Sequence, residues 1–197
     1  MKVLNINLII SLSLFLVACS SSPVTSFYQL RPIEAAVPYS SQAKNLTLLI
    51  NKIKFPEYLD RPQIVTRKSD YKLQLNENHH WAEPLKNEFT QVFIENINTR
   101  MGSKQSVMLL KQSNRIADIS VNIEVLQLDV NTDNLAVLTV KWSYWGNTKV
   151  LLNPKTEIKS FEFKSKNNTQ ESKVEAQSQT IAAFSEYLID SLLAALN

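Results

Sequence analysis

An α+β fold is predicted, with a mostly antiparallel sheet of about six strands and two amphipathic helices on one face. Three observations lead there. Leu85, Phe89, Val92, Phe93, Ile97 and Met101 recur at three- and four-residue spacing, as one face of a helix requires. Val174, Ile181, Phe184, Leu188, Leu192 and Leu196 form a second such stripe near the C-terminus. Between and before these helices, short segments alternate apolar and polar residues with the period of a strand.

The chain opens on a segment that does not belong to this fold. From Val3 to Ala18 there is no charge, and Lys2 supplies a positive start. The apolar run is shorter than the ~20 residues that span a bilayer, and Asn5, Asn7, Ser11 and Ser13 dilute it. It reads as a signal peptide over residues 1–18. Leu16-Val17-Ala18-Cys19 ends it and contains the chain's one cysteine. A single cysteine outside the cytoplasm has no internal disulfide partner. The four residues look like a bacterial lipobox, so Cys19 is the expected lipidation site and the first mature residue. Each buried methylene contributes about 0.8 kcal/mol, and one acyl chain gives only reversible binding. The three chains usual at such a cysteine make a lasting anchor. Ser20-Ser21-Ser22 follow where an inner-membrane retention signal commonly carries Asp. The expected address is therefore the outer membrane, on its periplasmic face. Residues 19–26 form a lipidated tether, and residues 27–197 one domain.

Within the domain, Phe27-Tyr28-Gln29-Leu30 is expected as a short strand. Pro32, Pro38 and small residues mark a loop. Leu46 to Ile53 is β-like, and Phe55 to Pro62 is a two-proline turn region leading into Gln63–Arg67. Ser69 to Asn76 alternates, with Tyr71, Leu73 and Leu75 on one face. Pro84 suits the opening turn of the first helix, where its missing N–H is not needed, and Gly102 suits a left-handed cap at its end. Trp81 is placed to pack back on that helix. Ser106–Leu110 is a short strand.

Ala117–Val130 is a long strand with a change of phase. Ile119, Val121, Ile123 and Val125 share one face, then Leu126, Leu128 and Val130 take over, which predicts a bulge or bend. Asn131–Asn134 reads as a turn, Leu135–Trp145 as a strand and Gly146-Asn147 as another turn. In the strand Glu157–Lys164, Ile158 faces away from Phe161 and Phe163. Ser172-x-x-Glu175 has the form of a capping box opening the second helix.

Composition excludes several functions. The chain has only two glycines, so a glycine-rich phosphate loop is absent. A formal charge of +3 without a basic run interleaved with aromatics gives no nucleic-acid site. His79 and His80 are the only histidines. Neighbours in an extended chain point apart, so a solvated loop is expected rather than a metal site. Gly-x-Ser-x-Gly is absent, and no catalytic set is predicted. No cofactor is expected. Asp60 and Arg61 read as a surface ion pair, with a partner contact as the alternative. Of Trp142, Tyr144 and Trp145, two share a core face, and Trp145 is the candidate partner anchor.

Several ordered segments carry a family resemblance. They are Tyr28-Gln29-Leu30 soon after Cys19, Phe55-Pro56-Glu57-Tyr58-Leu59-Asp60-Arg61-Pro62-Gln63-Ile64-Val65, and Trp81-Ala82-Glu83-Pro84-Leu85. Together they resemble the ABC-type transport auxiliary lipoprotein family, most strongly over Phe27–Gly102. The resemblance implies a non-enzymatic part of an intermembrane system that moves lipids or other hydrophobic molecules and maintains membrane integrity. The implied partner is a periplasmic MCE-domain protein, whose conduit the lipoprotein would dock at its outer-membrane end. The system would be of the paraquat-inducible type, or centred on an ABC transporter. A homo-oligomer would suit a part that caps a conduit. A protein that itself carries lipid remains the alternative, and it requires a cavity between helices and sheet.

Overall fold

One long strand organises the molecule. In a computed structural model that describes residues 23–33, 46–102, 107–109, 117–146 and 154–196, β6 (Ile119–Asn131) runs through the middle of an eight-stranded sheet. The other strands are β1 (Ser26–Tyr28), β2 (Leu48–Lys54), β3 (Gln63–Ser69), β4 (Lys72–Trp81), β5 (Val107–Leu109), β7 (Leu135–Gly146) and β8 (Lys155–Lys164). The helices are α1 (Leu85–Met101) and α2 (Gln170–Leu196), with a 3-10 turn at Glu57–Leu59.

The expected α+β fold with two helices is present and the expected sheet is roughly right, but the sheet is mixed and has eight strands. The three most extensive pairings, β6–β7, β7–β8 and β3–β4, are antiparallel. The pairings β1–β4, β2–β5, β2–β6 and β3–β6 are parallel. Parallel partners lie far apart in sequence, so local alternation cannot announce them.

β6 is also where the sheet forks. Its whole length pairs with β7 on one side. On the other side, β2 holds Ile119 to Glu124 and β3 holds Val130 and Asn131. The predicted phase change falls between these two partners. Against β7 the register shifts between Val125 and Gln127. Leu126 is the extra residue and stands 40% exposed, whereas Leu128 and Val130 return to the buried face. The bulge was thus legible, but Leu126 belongs outside the apolar set. The Asn131–Asn134 turn forms as expected: Asn131 Oδ1 accepts from the Asp133 and Leu135 amides, and Asn134 takes the left-handed conformation at φ 61°.

Both helices pack against the face that carries Ile119, Val121, Ile123 and Val125. Every residue of the predicted α1 stripe is buried, and Gly102 caps the helix at φ 66°. Phe93 of α1 stacks on Phe184 of α2 at 5.1 Å. Phe184 in turn meets Trp142 of β7 at 5.4 Å and Phe161 of β8 at 5.7 Å. Phe55 and Phe89 extend this ladder, so rings fill the space between helices and sheet. Buried hydroxyls on α2 bond back to the helix: Ser178 to the Val174 carbonyl, Thr180 to Gln177 and Ser185 to Ile181. These small polar residues are satisfied within the helix, and Ser178 also accepts the Arg31 amide.

Two local expectations shift. α2 begins before the Ser172 box, because Thr169 Oγ1 accepts the Ser172 amide and caps the helix three residues earlier. Ser172 is buried, and its hydroxyl accepts from the Asn167 amide. Tyr71 is not on a strand face: Asp70-Tyr71 turns the chain between β3 and β4, leaving Tyr71 99% exposed. Leu73 and Leu75 share one face of β4 as expected, with Leu75 packed on the core and Leu73, nearer the turn, 36% exposed.

At the free edge, Glu157 of β8 ties α2 to the sheet. Its carboxylate accepts from Tyr187, Ser191 and Lys155, and Lys159 lies 3.8 Å from the centre of the Tyr187 ring. Partial burial raises the Glu157 carboxyl, but these donors outweigh it and hold the group below its ordinary value. No described helix is long and apolar enough to cross a membrane.

Candidate functional site

The segment that follows the tether is fastened to both helices. β1 lies parallel to the end of β4, with Ser26 opposite His79 and Tyr28 opposite Trp81. The Ala82 amide donates to the Tyr28 carbonyl at 2.8 Å, and the Tyr28 hydroxyl is hydrogen-bonded to His79 Nδ1 at 2.9 Å. Beyond β1, three backbone amides meet helix side chains. Leu30 donates to Glu88 of α1 at 2.8 Å, Arg31 to Ser178 of α2 at 3.2 Å, and Ile33 to Asn96 of α1 at 3.2 Å. Leu30 itself is buried in the core. A stretch that contributes only a three-residue edge strand thereby gains a fixed position.

Glu88 is the centre of this fastening. It is 1% exposed, and its second oxygen accepts the Glu83 amide at 3.1 Å. Burial pushes the Glu88 carboxyl above its ordinary value, although the two amides pull the other way. The folded protein therefore holds this proton more tightly than the unfolded chain, and the Glu88 contribution to stability falls as pH rises. The decline starts near the ordinary value of 4.5 and ends above the raised folded value. In Glu88→Gln, unfolding measured across pH is expected to lose this part of the slope. Glu88→Ala is expected to cost about 2–3 kcal/mol, because two buried amides lose a charged acceptor.

Beside the fastened segment lies an open cleft of about 770 Å³. Phe27, Arg31 and Ile33 form one wall, and Thr169, Val174 and Ser178 of the α2 start form the other. It is a surface groove, separate from the ring-filled helix–sheet interface.

The residues singled out from sequence fall in different places. Cys19 lies outside the described residues, as do the first residues of the tether. His79 and His80 sit on β4, correcting the loop expectation, and both are half-buried. Their side chains diverge: His79 meets Tyr28, and His80 meets Phe27 edge-on at 6.0 Å. Asp60 is exposed and Arg61 half-buried, and no ion pair joins them among the described residues. Trp142 and Tyr144 are buried in the core, and Trp145 is half-buried on the opposite face of β7. Trp145 pairs with Ser120 at the start of β6, whereas Asp60 and Arg61 lead into β3, which meets the end of β6. The structure does not bring these candidates together.

One polar feature escaped sequence reasoning. Asp129 of β6 is fully buried and receives Arg67 of β3 in a fork, with Nη2 at 2.8 Å and Nε at 3.1 Å. Gln127 Nε2 adds a third donor at 2.9 Å. Beside them, burial first and the Asp129 charge second raise the Tyr58 hydroxyl above its ordinary value. An acid between Leu128 and Val130 was the visible signal, but its partner came from a strand 62 residues away. Among the described residues, no three His, Cys, Asp or Glu side chains are grouped to hold a metal. Arg67 and Gln127 satisfy the Asp129 carboxylate, which suits a rigid scaffold, while the buried Tyr58 hydroxyl beside them has no hydrogen-bond partner among the described residues.

Comparison with known proteins agrees with this architecture. The family described as ABC-type transport auxiliary lipoprotein component matches residues 28–188. The intermembrane transport lipoproteins PqiC of Escherichia coli (strain K12) and Shigella flexneri are each 23% identical over 131 residues. Those alignments cover 66% of this chain and 68% of each relative. Among solved structures, an uncharacterized protein superposes with a TM-score of 0.69 at 18% identity, covering 86% of this chain and 99% of its own. Protein XCC0632 from Xanthomonas campestris gives 0.64 at 15% identity, covering 86% and 96% respectively. At these identities the two structures show a shared fold.

Proposed function

The chain belongs to the ABC-type transport auxiliary lipoprotein family, and from that premise we propose that it is a docking component of an intermembrane transport system. Residues 1–18 are removed, lipids on Cys19 fix the protein to the periplasmic face of the outer membrane, and residues 27–197 form the docking domain. The partner is a periplasmic MCE-domain protein, whose conduit for lipids or other hydrophobic molecules ends at this domain. Membrane integrity depends on the assembly, and self-association of the domain would suit its place at the end of a conduit. The role is non-enzymatic.

The observation that carries this reading is the family match across nearly the whole folded region, reached nine residues after a lipobox-like cysteine. Two curated relatives named as intermembrane transport lipoproteins support the transport role. The ring-filled helix–sheet interface favours docking over carrying a lipid inside. Trp145, Asp60 and Arg61 are candidate partner contacts at separate places on the surface.

Cys19→Ala tests the anchor. The variant is expected to lose labelled palmitate and to leave the outer-membrane fraction, while a deletion strain loses detergent tolerance. The wild-type protein is expected to cross-link to an MCE-domain partner in cells. Outer-membrane fractionation of an unlipidated Cys19→Ala variant would defeat the anchor, and absence of an MCE-domain protein from cross-linked products would defeat the docking role.

A further inference from the structure

The β3–β4 hairpin ends in an aromatic side chain that stands free of the other described residues. Tyr71 is 99% exposed, Leu73 stands partly exposed just behind it, and Lys68 and Lys72 flank the turn. Asp70 is the turn's one carboxylate, and its backbone carbonyl accepts from Arg67. From α2, Lys173 faces Lys68: burial first and the Lys68 charge second lower its affinity for a proton. A tyrosine between lysines is the chemistry of a membrane interface, where an amphipathic ring sits at headgroup level and lysines meet anionic lipid.

The course of the chain points the same way. β1 runs parallel to β4, so the residues before Ser26 arrive from the hairpin-tip side of the sheet. Ser26 pairs with His79. From residue 26 back to Cys19 is seven steps, and from residue 79 back to Lys72 is also seven. Each stretch spans at most about 25 Å when extended. β4 changes register against β3 between Asn76 and His80, and a bend there only shortens the distance to be reached. A lipid on Cys19 can therefore lie level with the hairpin tip.

We propose that the β3–β4 hairpin tip is a second membrane contact, with Tyr71 seated among the headgroups of the bilayer that holds the Cys19 lipids and Lys68 and Lys72 on its anionic lipids. The contact rests on the lipid-anchor reading. It adds what the anchor lacks, since seven steps of chain limit a distance but set no orientation, and two points of contact set which face of the sheet meets the periplasm.

The lone cysteine makes the test direct, because lipidation consumes its thiol. In lipidated Tyr71→Cys protein, the only free thiol is at position 71 and takes an environment-sensitive fluorophore. Ser160→Cys, on β8, serves as the aqueous reference. Both are reconstituted in vesicles of phosphatidylethanolamine and phosphatidylglycerol with nitroxide-bearing headgroups. The expected result is a blue shift and loss of emission at position 71 but not at 160. Flotation with the vesicles and unquenched emission at 71 would overturn the hairpin contact while leaving the anchor standing. Failure to float, with the Cys19 thiol still free by mass, would overturn the anchor and this contact with it. Protection of position 71 only on adding a protein partner, without nitroxide quenching, would assign the tip to that partner and overturn the proposal.

Discussion

Phe184→Ala is expected to destabilise the domain by about 3–5 kcal/mol, the usual cost of removing a large buried ring. Phe184 is fully buried and is the point where four elements meet. It stacks on Phe93 of α1 and touches Trp142 of β7 and Phe161 of β8, all within 6 Å between ring centres. Alanine would leave a hole lined by rings that cannot collapse into it, because each is held by its own element. For a fold with a total stability of roughly 5–15 kcal/mol, that loss is a large share. Urea unfolding should show a lower midpoint with the slope retained. Phe184→Leu, which keeps most of the volume, should fall well short of the alanine cost. Equal losses for leucine and alanine would mean that the contribution lies in the ring contacts themselves and not in the volume that leucine retains.

Arg67→Met is expected to cost about as much, roughly 3–5 kcal/mol, for a different reason. The substitution leaves the Asp129 carboxylate wholly buried with only the Gln127 amide as a side-chain donor. The penalty comes from an unpaired buried charge and does not measure the strength of the pair. The double variant Arg67→Met, Asp129→Leu removes both charges and should recover most of the loss. A double-mutant cycle by urea unfolding decides between these readings. If the two single costs simply add, the ion pair has no role in holding the fork. The position makes the effect structural as well as electrostatic: β3 meets β6 only at Thr66 and Arg67, so the pair reinforces a short parallel junction.

Much of this architecture was readable from local pattern, and the misses share a cause. The two helical stripes, the β6 phase change and the opposed faces of Ile158 and Phe161 all follow from side-chain period, which depends on near neighbours. Period does not say which strand lies beside which, so the parallel pairings and the fork were invisible. Tyr71 was placed with Leu73 and Leu75 because the alternation ran unbroken across a two-residue turn. At α2, Ser172 has the form of a capping box, but Thr169, another capping type, starts the helix earlier. The site divides in the same manner. Cys19 is an expectation drawn from its surroundings in the chain, and it lies outside the described residues. Glu88 and Asn96, by contrast, look like polar members of an exposed face until Leu30 and Ile33 are laid against them.

The attachment of that segment has a mechanical consequence. On the proposed anchoring, the domain has to stay folded under any load that arrives through the tether. Because β1 lies alongside β4, a pull along the tether runs along the strand, across the direction of its hydrogen bonds. Such a load is carried in shear, by several bonds at once. The next residues pass it through Glu88 and Ser178 into both helices. Tension on the lipid is therefore spread over the whole core within a few residues, and the fold behaves as a cleat to which a line is made fast.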